Sequence, residues 1–266
     1  MTNHQGDFIW YELMTSDADA AAEFYGAVVG WRVRIFDGSG AGPAGGYRIF
    51  GTGEADVAGL MTMPADAADA GVRPCWLGYI GVDDVDAAAA GTVAAGGRQH
   101  VPPTDIPGVG RFAMLADPQG APFYVMRGET KEVSTSFAQT TGHCAWNELT
   151  TSDQAAALAF YLDRFGWEKG DAMPMGDMGD YRFVNHHGRM IGAVMTRRPD
   201  GPPPMWTFYF VVDDIDVAAA TARGRGATIH HGPAEIPGGD FIIIAGDPQG
   251  ATFGLVGPRR GQTVQS

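Results

Sequence analysis

Glu12 follows a tryptophan by two positions in "WYELMTSD", and Glu148 does the same in "WNELTTSD", 136 positions further on. If both runs are strands, alternation places Trp10, Glu12 and Met14 on one face, and Trp146, Glu148 and Thr150 on the matching face of the second copy. A carboxylate beside an indole on a concave, mostly apolar surface is partly desolvated, which raises its pKa. That is one route to a general acid or base working near neutral pH. The indoles would supply flat walls for an aromatic or planar ligand. The same pattern suits a structural or ligand-positioning glutamate equally well. Arg48 and Arg182 follow matched tyrosines on what should be a neighbouring strand, and each could pair with its own domain's glutamate.

Tyr79 and Tyr209 also match between the copies and alternate onto the same face, where each can bond a ligand or the carboxylate, or form plain wall. The histidines suggest no metal site. His100 and His230 match on the strand after the second helix, with His231 adjacent, and a structural role is the expectation. His186 and His187 in "NHHG" read as a solvated hairpin turn, and His4 and His143 as exposed residues before a strand. Cys75 and Cys144 occupy unmatched positions, so neither reads as a shared nucleophile.

The elements that must carry these residues are themselves duplicated. "YRIF" at Tyr47 returns as "YRFV" at Tyr181, "WLGYIGVDDVDAAAA" as "WTFYFVVDDIDVAAA", and "DIPGVGRFAMLADPQGAPFYVM" as "EIPGGDFIIIAGDPQGATFGLV". All six tryptophans fall into the pairs Trp10/Trp146, Trp31/Trp167 and Trp76/Trp206. A repeat of this length sets the architecture. It predicts one domain over 1–126, a polar, unmatched linker over 127–142 and a second domain over 143–262. Within each domain a strand, a Thr-Ser-Asp cap, an alanine-rich helix and three strands are followed by a second round opening at Trp76 or Trp206. The fold class is therefore α+β, with a pair of βαβββ modules in each domain. The glycine-rich loop Phe36–Gly46 lacks the context of a phosphate loop. It and its methionine-bearing counterpart from Gly170 read as hairpin tips or covers over a binding surface.

Bulk properties narrow the partners. Hydrophobic content of 45% and charged content of 18% describe a compact globular chain. A net charge of −13 argues against nucleic acid and anionic membranes. The opening "MTNHQGDFIW" shows no secretory signal, and no apolar run reaches membrane-spanning length. With two cysteines there is no disulfide framework, and a reducing cytoplasm is the expected location.

The strand–"TSD"–helix–"FY…GW" segments and the strand–"DPQG"–strand endings at Asp117–Gly120 and Asp247–Gly250 resemble the vicinal oxygen chelate superfamily. That superfamily includes glyoxalase I, extradiol dioxygenases and bleomycin-resistance proteins. The resemblance implies eight strands curled into an open cup in each domain, helices on the convex side and a ligand inside. It also implies three metal-ligand positions per cup, which here hold Trp10, Leu77 and Tyr124, and Trp146, Thr207 and Gly254. None offers imidazole or carboxylate, so no metal or other cofactor is expected in the cups. Tyr124 is expected to point its hydroxyl into the first cup, and Gly254 makes the cups unequal.

Three functions remain open: a metal-independent acid–base enzyme of isomerase, lyase or hydrolase type, a non-catalytic binder of an antibiotic or metabolite, and a metalloenzyme with displaced ligands. The expected partner is a small, planar organic molecule, and the chain is expected to be a monomer or homodimer.

Overall fold

The structure, a computed structural model, describes residues 3–36, 46–69 and 71–261. The first half runs β1 (Phe8–Thr15), α1 (Ala18–Val28), β2 (Arg32–Ile35), β3 (Arg48–Gly51), β4 (Asp56–Thr62), the short α2 (Ala65–Asp69), β5 (Cys75–Gly81), α3 (Val85–Ala94), β6 (Arg98–Ile106), β7 (Gly110–Ala116) and β8 (Pro122–Gly128). The second runs β9 (Cys144–Thr151), α4 (Gln154–Phe165), β10 (Glu168–Pro174), β11 (Asp180–His186), β12 (Arg189–Thr196), β13 (Met205–Val211), α5 (Ile215–Gly224), β14 (Thr228–Glu235), β15 (Phe241–Gly246) and β16 (Thr252–Gly257). Most of the loop Phe36–Gly46, read above as a possible cup cover, lies outside the described residues. Among the described residues no helix is long and apolar enough to cross a membrane.

Local chemistry sets the element ends. Asp17 caps α1, its Oδ1 accepting the N–H groups of Asp19 and Ala20 at 3.1 and 3.0 Å. Asp153, Asp84 and Asp214 do the same for α4, α3 and α5. Buried residues on α1 fall at Ala21, Phe24, Tyr25 and Val28, one face of a 3.6-residue period.

Each half forms one eight-stranded mixed sheet, in the orders β2-β3-β4-β1-β5-β8-β7-β6 and β10-β11-β12-β9-β13-β16-β15-β14. The two modules of a half meet where their opening strands pair antiparallel, β1 with β5 and β9 with β13. The last strand of each module then returns parallel to its first.

One hydrophobic core joins the two halves. Helix α1 lays Phe24 and Tyr25 on Phe253 of the opposite sheet, and α4 lays Phe160 and Tyr161 on Phe123. Each half's first helix thus covers the back of the other half's sheet.

Polar groups inside this seam are satisfied by two copies of one relay. The Trp76 indole N–H donates to Tyr25 Oη (2.8 Å), whose hydroxyl donates to Asp247 Oδ2 (3.0 Å). Trp206, Tyr161 and Asp117 repeat it at 3.2 and 3.2 Å. The other oxygen of each aspartate ties its "DPQG" turn through two backbone N–H groups. Trp31 and Trp167 donate to the carbonyls of Gly142 and Gly6 across the same seam. Tyr11 donates to Asn147 Oδ1 at 2.9 Å, and these two residues hold equivalent positions in the repeat. The pseudo-twofold axis therefore passes between them. The faces of both sheets that turn away from this core are left to form the cups.

Candidate functional site

Strand register assembles the first cup. β1 supplies Trp10, Glu12 and Met14, which stand opposite Tyr79, Leu77 and Cys75 of β5. Gly59 and Met61 of β4 lie beside Glu12 and Met14, while Tyr124 of β8 lies beside Tyr79 and faces Met114 of β7. Ile9, Met14, Leu77, Tyr79 and Tyr124 form a cluster separate from the main core, with Trp10, Met61, Phe112, Met114 and Met126 packed on it. A lining with this much methionine and aromatic surface can adapt to an apolar ligand.

Glu12 sits at the base of this cup, 3% exposed. Tyr79 Oη donates to its Oε2 at 3.0 Å, and the hydroxyls of Tyr47 and Tyr124 lie near enough to favour its charged form. Burial raises the carboxyl pKa, and the tyrosine hydroxyls hold it down in part. Burial and the nearby carboxylate push the tyrosines well above their ordinary value, so they remain donors. The Trp10 indole N–H donates to Tyr47 Oη at 3.0 Å, which fixes the hydroxyl between indole and carboxylate. The rings of Tyr79 and Tyr124 stack at 4.2 Å.

The second cup repeats the chain with tighter bonds. Trp146 donates to Tyr181 Oη at 2.7 Å, and Tyr181 donates to Glu148 Oε2 at 2.6 Å. Tyr209 reaches the same oxygen at 3.2 Å. Burial again raises the carboxyl pKa. Thr150 stands beside Met195 and opposite Met205, and the ring of Phe183 lies 6.0 Å from that of Trp146. No third tyrosine follows, because Gly254 occupies the position of Tyr124. A Cβ on Gly254 would lie 2.4 Å from the Tyr209 ring, so Tyr209 rests on bare backbone.

Two sequence readings are corrected here. Arg48 and Arg182 do not pair with the glutamates. Arg48 faces the helix side, bonding Asp19 at 2.7 Å and the Ala18 carbonyl at 3.3 Å. Arg182 bonds Asp180 at 3.2 Å and the Gly170 carbonyl. The residue before each arginine, Tyr47 or Tyr181, holds the carboxylate instead, since alternation sends neighbours to opposite faces. Those tyrosines were missed as site residues, although strict alternation along "YRIF" and "YRFV" would have found them.

The histidine readings change as well. His187 and Gly188 do make the turn between β11 and β12, with φ of 48° and 71°. His186, however, is buried, and its imidazole is held below its ordinary pKa by burial and by the neighbouring His187. His143 is buried too, its Nδ1 2.6 Å from the Thr135 carbonyl oxygen. His100, His230 and His231 are exposed on β6 and β14. Burial pushes both thiols up to about 12, so Cys75 and Cys144 are poor nucleophiles.

The cups do not fit a divalent metal. Among the described residues each offers one carboxylate, already bonded by tyrosine hydroxyls, and no imidazole beside it. Neutral donors and an apolar lining suit an organic ligand instead.

Similarity to known proteins places this architecture. A solved Mn(II)-bound glyoxalase from Novosphingobium aromaticivorans superposes with a TM-score of 0.64 at 19% identity, covering 97% of this chain and 83% of that one. The 2,3-dioxygenase LapB from Pseudomonas sp. KL28 gives 0.61 at 13% identity, over 100% and 96%. At these identities they show the fold alone. "Putative glyoxylase CFP32" of Mycobacterium tuberculosis is 35% identical across 96% of this chain and 95% of that protein. The anthracycline biosynthesis protein DnrV of Streptomyces peucetius is 30% identical over 95% and 93%. The family model of the Glyoxalase/Bleomycin resistance protein/Dioxygenase superfamily matches residues 8–125 and again 140–255, so the duplicated chain belongs to that superfamily in both halves.

Proposed function

We propose that each cup binds a small planar organic molecule against its tryptophan, and that the tyrosine–glutamate pair behind it transfers a proton without a metal. The observation that carries this reading is the doubled chain of indole N–H, tyrosine hydroxyl and buried carboxylate. Tyr47 and Tyr181 are half-buried and therefore meet the ligand, while Glu12 and Glu148 lie enclosed behind them. A ligand C–H or O–H proton passes to the tyrosine oxygen as the tyrosine's own proton passes to the carboxylate. A carboxyl pKa raised by burial suits that exchange near neutral pH. Isomerisation at an acidic carbon follows when the relay runs backward and returns the proton to a neighbouring ligand atom, restoring the carboxylate. The anthracycline biosynthesis relatives favour a polycyclic aromatic ligand, which also matches the flat walls of the first cup.

A second reading, sequestration without turnover, is favoured by the enclosure of both carboxylates. One experiment separates them. Polycyclic hydroxyketones with a hydrogen α to a carbonyl would be screened by tryptophan quenching, and exchange of that carbon-bound hydrogen for deuterium followed by NMR. On the catalytic reading Glu12→Gln combined with Glu148→Gln keeps affinity within about threefold but slows exchange by about 10²–10⁴. Exchange that never exceeds the buffer rate in wild type, with binding intact, would assign sequestration.

A further inference from the structure

We propose that Asp7, His186 and His187 form a site for a divalent transition metal ion of the zinc type, at the seam between the two halves and outside both cups. Asp7 precedes β1 in the first half, and the histidines end β11 and open the following turn in the second. One ligand atom from each lies within 4.8 Å of the others, and Asp7 Oδ1 is 3.6 Å from His186 Nε2. Donors around a tetrahedral zinc sit ~3.4 Å apart, so the carboxylate and first imidazole already hold that spacing. His187 is exposed and can swing in to close the set.

Each ligand is presented for the role. His4 N–H donates to Asp7 Oδ2 at 2.7 Å, which fixes the carboxylate and leaves Oδ1 toward the histidines. His186 is 5% exposed, and neither ring nitrogen has a hydrogen-bond partner. The carbonyls of Gln5 and Gly166 flank its ring without hydrogen-bond geometry. A buried imidazole without partners calls for an explanation, and a metal bond supplies one. The His4 ring lies against His187, with centroids 4.6 Å apart, closing the outer side.

The pseudo-twofold provides an internal control. Gly6 and Gly142 are equivalent, both with positive φ and both accepting a tryptophan N–H across the seam. Around Gly142 the positions of His186, His187 and Asp7 hold Thr52, Gly53 and His143. The fold therefore closes this seam without a histidine pair, and the pair at Gly6 is an addition that packing does not require. Two imidazoles and one carboxylate, with a fourth position open to water, form a donor set for zinc, cobalt or nickel rather than magnesium or calcium.

The test uses tag-free full-length protein incubated with Zn²⁺, desalted and measured by elemental mass spectrometry, with Co²⁺ as a spectroscopic substitute. About one equivalent of zinc per chain is expected, with the visible absorption of four-coordinate cobalt and a rise in melting temperature on adding zinc. His187→Asn converts the turn to Asn-Gly, which tolerates positive φ, so it removes a ligand while keeping the fold. Asp7→Asn retains an oxygen to accept the His4 N–H. Each should weaken zinc at least about tenfold and abolish the thermal shift. Glu12→Gln with Glu148→Gln should leave zinc binding unchanged. Less than about a tenth of an equivalent in wild type, or full retention by His187→Asn and Asp7→Asn, overturns the proposal. Loss of zinc in the double glutamate variant also overturns it, because the metal would then lie in a cup.

Discussion

Tyr25→Phe removes a single oxygen from the middle of the interdomain relay. The side chain is fully buried, and its hydroxyl both accepts from Trp76 and donates to Asp247. Phenylalanine fits the same space but leaves the indole N–H and carboxylate Oδ2 unpartnered inside the seam. Each orphaned buried group costs roughly 1–3 kcal/mol, with the carboxylate at the upper end, so the loss should be about 3–5 kcal/mol. That is a large share of the ~5–15 kcal/mol that holds an ordinary domain folded. Tyr161→Phe should cost somewhat less, since its two bonds are 3.2 Å rather than 2.8 and 3.0 Å. The pH dependence follows from Asp247. Burial raises its folded-state pKa, and the Tyr25 hydroxyl holds it down. Without that hydroxyl the folded pKa climbs further above the unfolded one. Ionised Asp247 then costs the fold above its raised pKa, and the cost fades as pH falls and the fold takes up the proton. Urea unfolding followed by tryptophan fluorescence, near neutral pH and again about two units lower, reads both effects. A loss below about 1 kcal/mol, or a deficit that widens on acidification, would show that the relay does not bear this load.

Two further substitutions probe the cups. Tyr47→Phe removes the hydroxyl that stands between the Trp10 indole N–H and the Glu12 carboxylate. Proton exchange in the first cup should then fall as far as in Glu12→Gln, measured in a Glu148→Gln background; unchanged exchange would remove Tyr47 from the relay. For stability, Glu12→Gln fixes a neutral group where burial has raised the carboxyl pKa. The wild-type penalty is absent below the ordinary carboxylate range and grows as pH rises through the raised folded value, so the variant should gain on wild type toward neutral pH. Melting temperatures across acid to neutral pH check this, and a constant difference would contradict it.

Much of this architecture was legible because the chain states it twice. The tryptophan-x-glutamate spacing placed Trp10, Glu12 and Met14 on the cup face, and alternation put Tyr79 with them. Arg48 misled because β3 has only four residues and so fixes its own phase weakly, whereas Arg182 sits on the seven-residue β11, where alternation from Tyr181 already points it away from the cup. Arg48 finds its partner, Asp19, in the first turn of α1, a packing contact that no strand pattern reveals. His186 was misread for a related reason. Its burial depends on the Gln5–Asp7 turn, some 180 positions earlier in the chain, which closes over it only when the halves dock. The Tyr25–Asp247 and Tyr161–Asp117 pairs, 222 and 44 positions apart, also cross between the halves, and each motif looked self-sufficient when read alone.

The same duplication explains why the two cups can diverge without endangering the fold. The seam uses Trp31, Trp76, Tyr25, Asp117 and their copies, none of which faces a cup. Indole, tyrosine, glutamate and the methionine pair Met61/Met195 are cup groups that both copies retain, while their surroundings differ. The first cup stacks Tyr79 on Tyr124 and adds Phe112, Met114 and Met126. At the equivalent positions the second has Gly254, Ile242, Ile244 and Val256. Tyr209 has settled onto Gly254 so closely that even a methyl group there would collide with its ring. The second cup therefore cannot acquire the first one's stacked tyrosines by a single substitution, since Tyr209 would have to move first. If both cups bind ligands, the flat polycyclic one belongs in the first, where two stacked phenols and a tryptophan form its walls. The second, with a more strongly bonded tyrosine–glutamate pair and aliphatic sides, suits a smaller or less planar molecule.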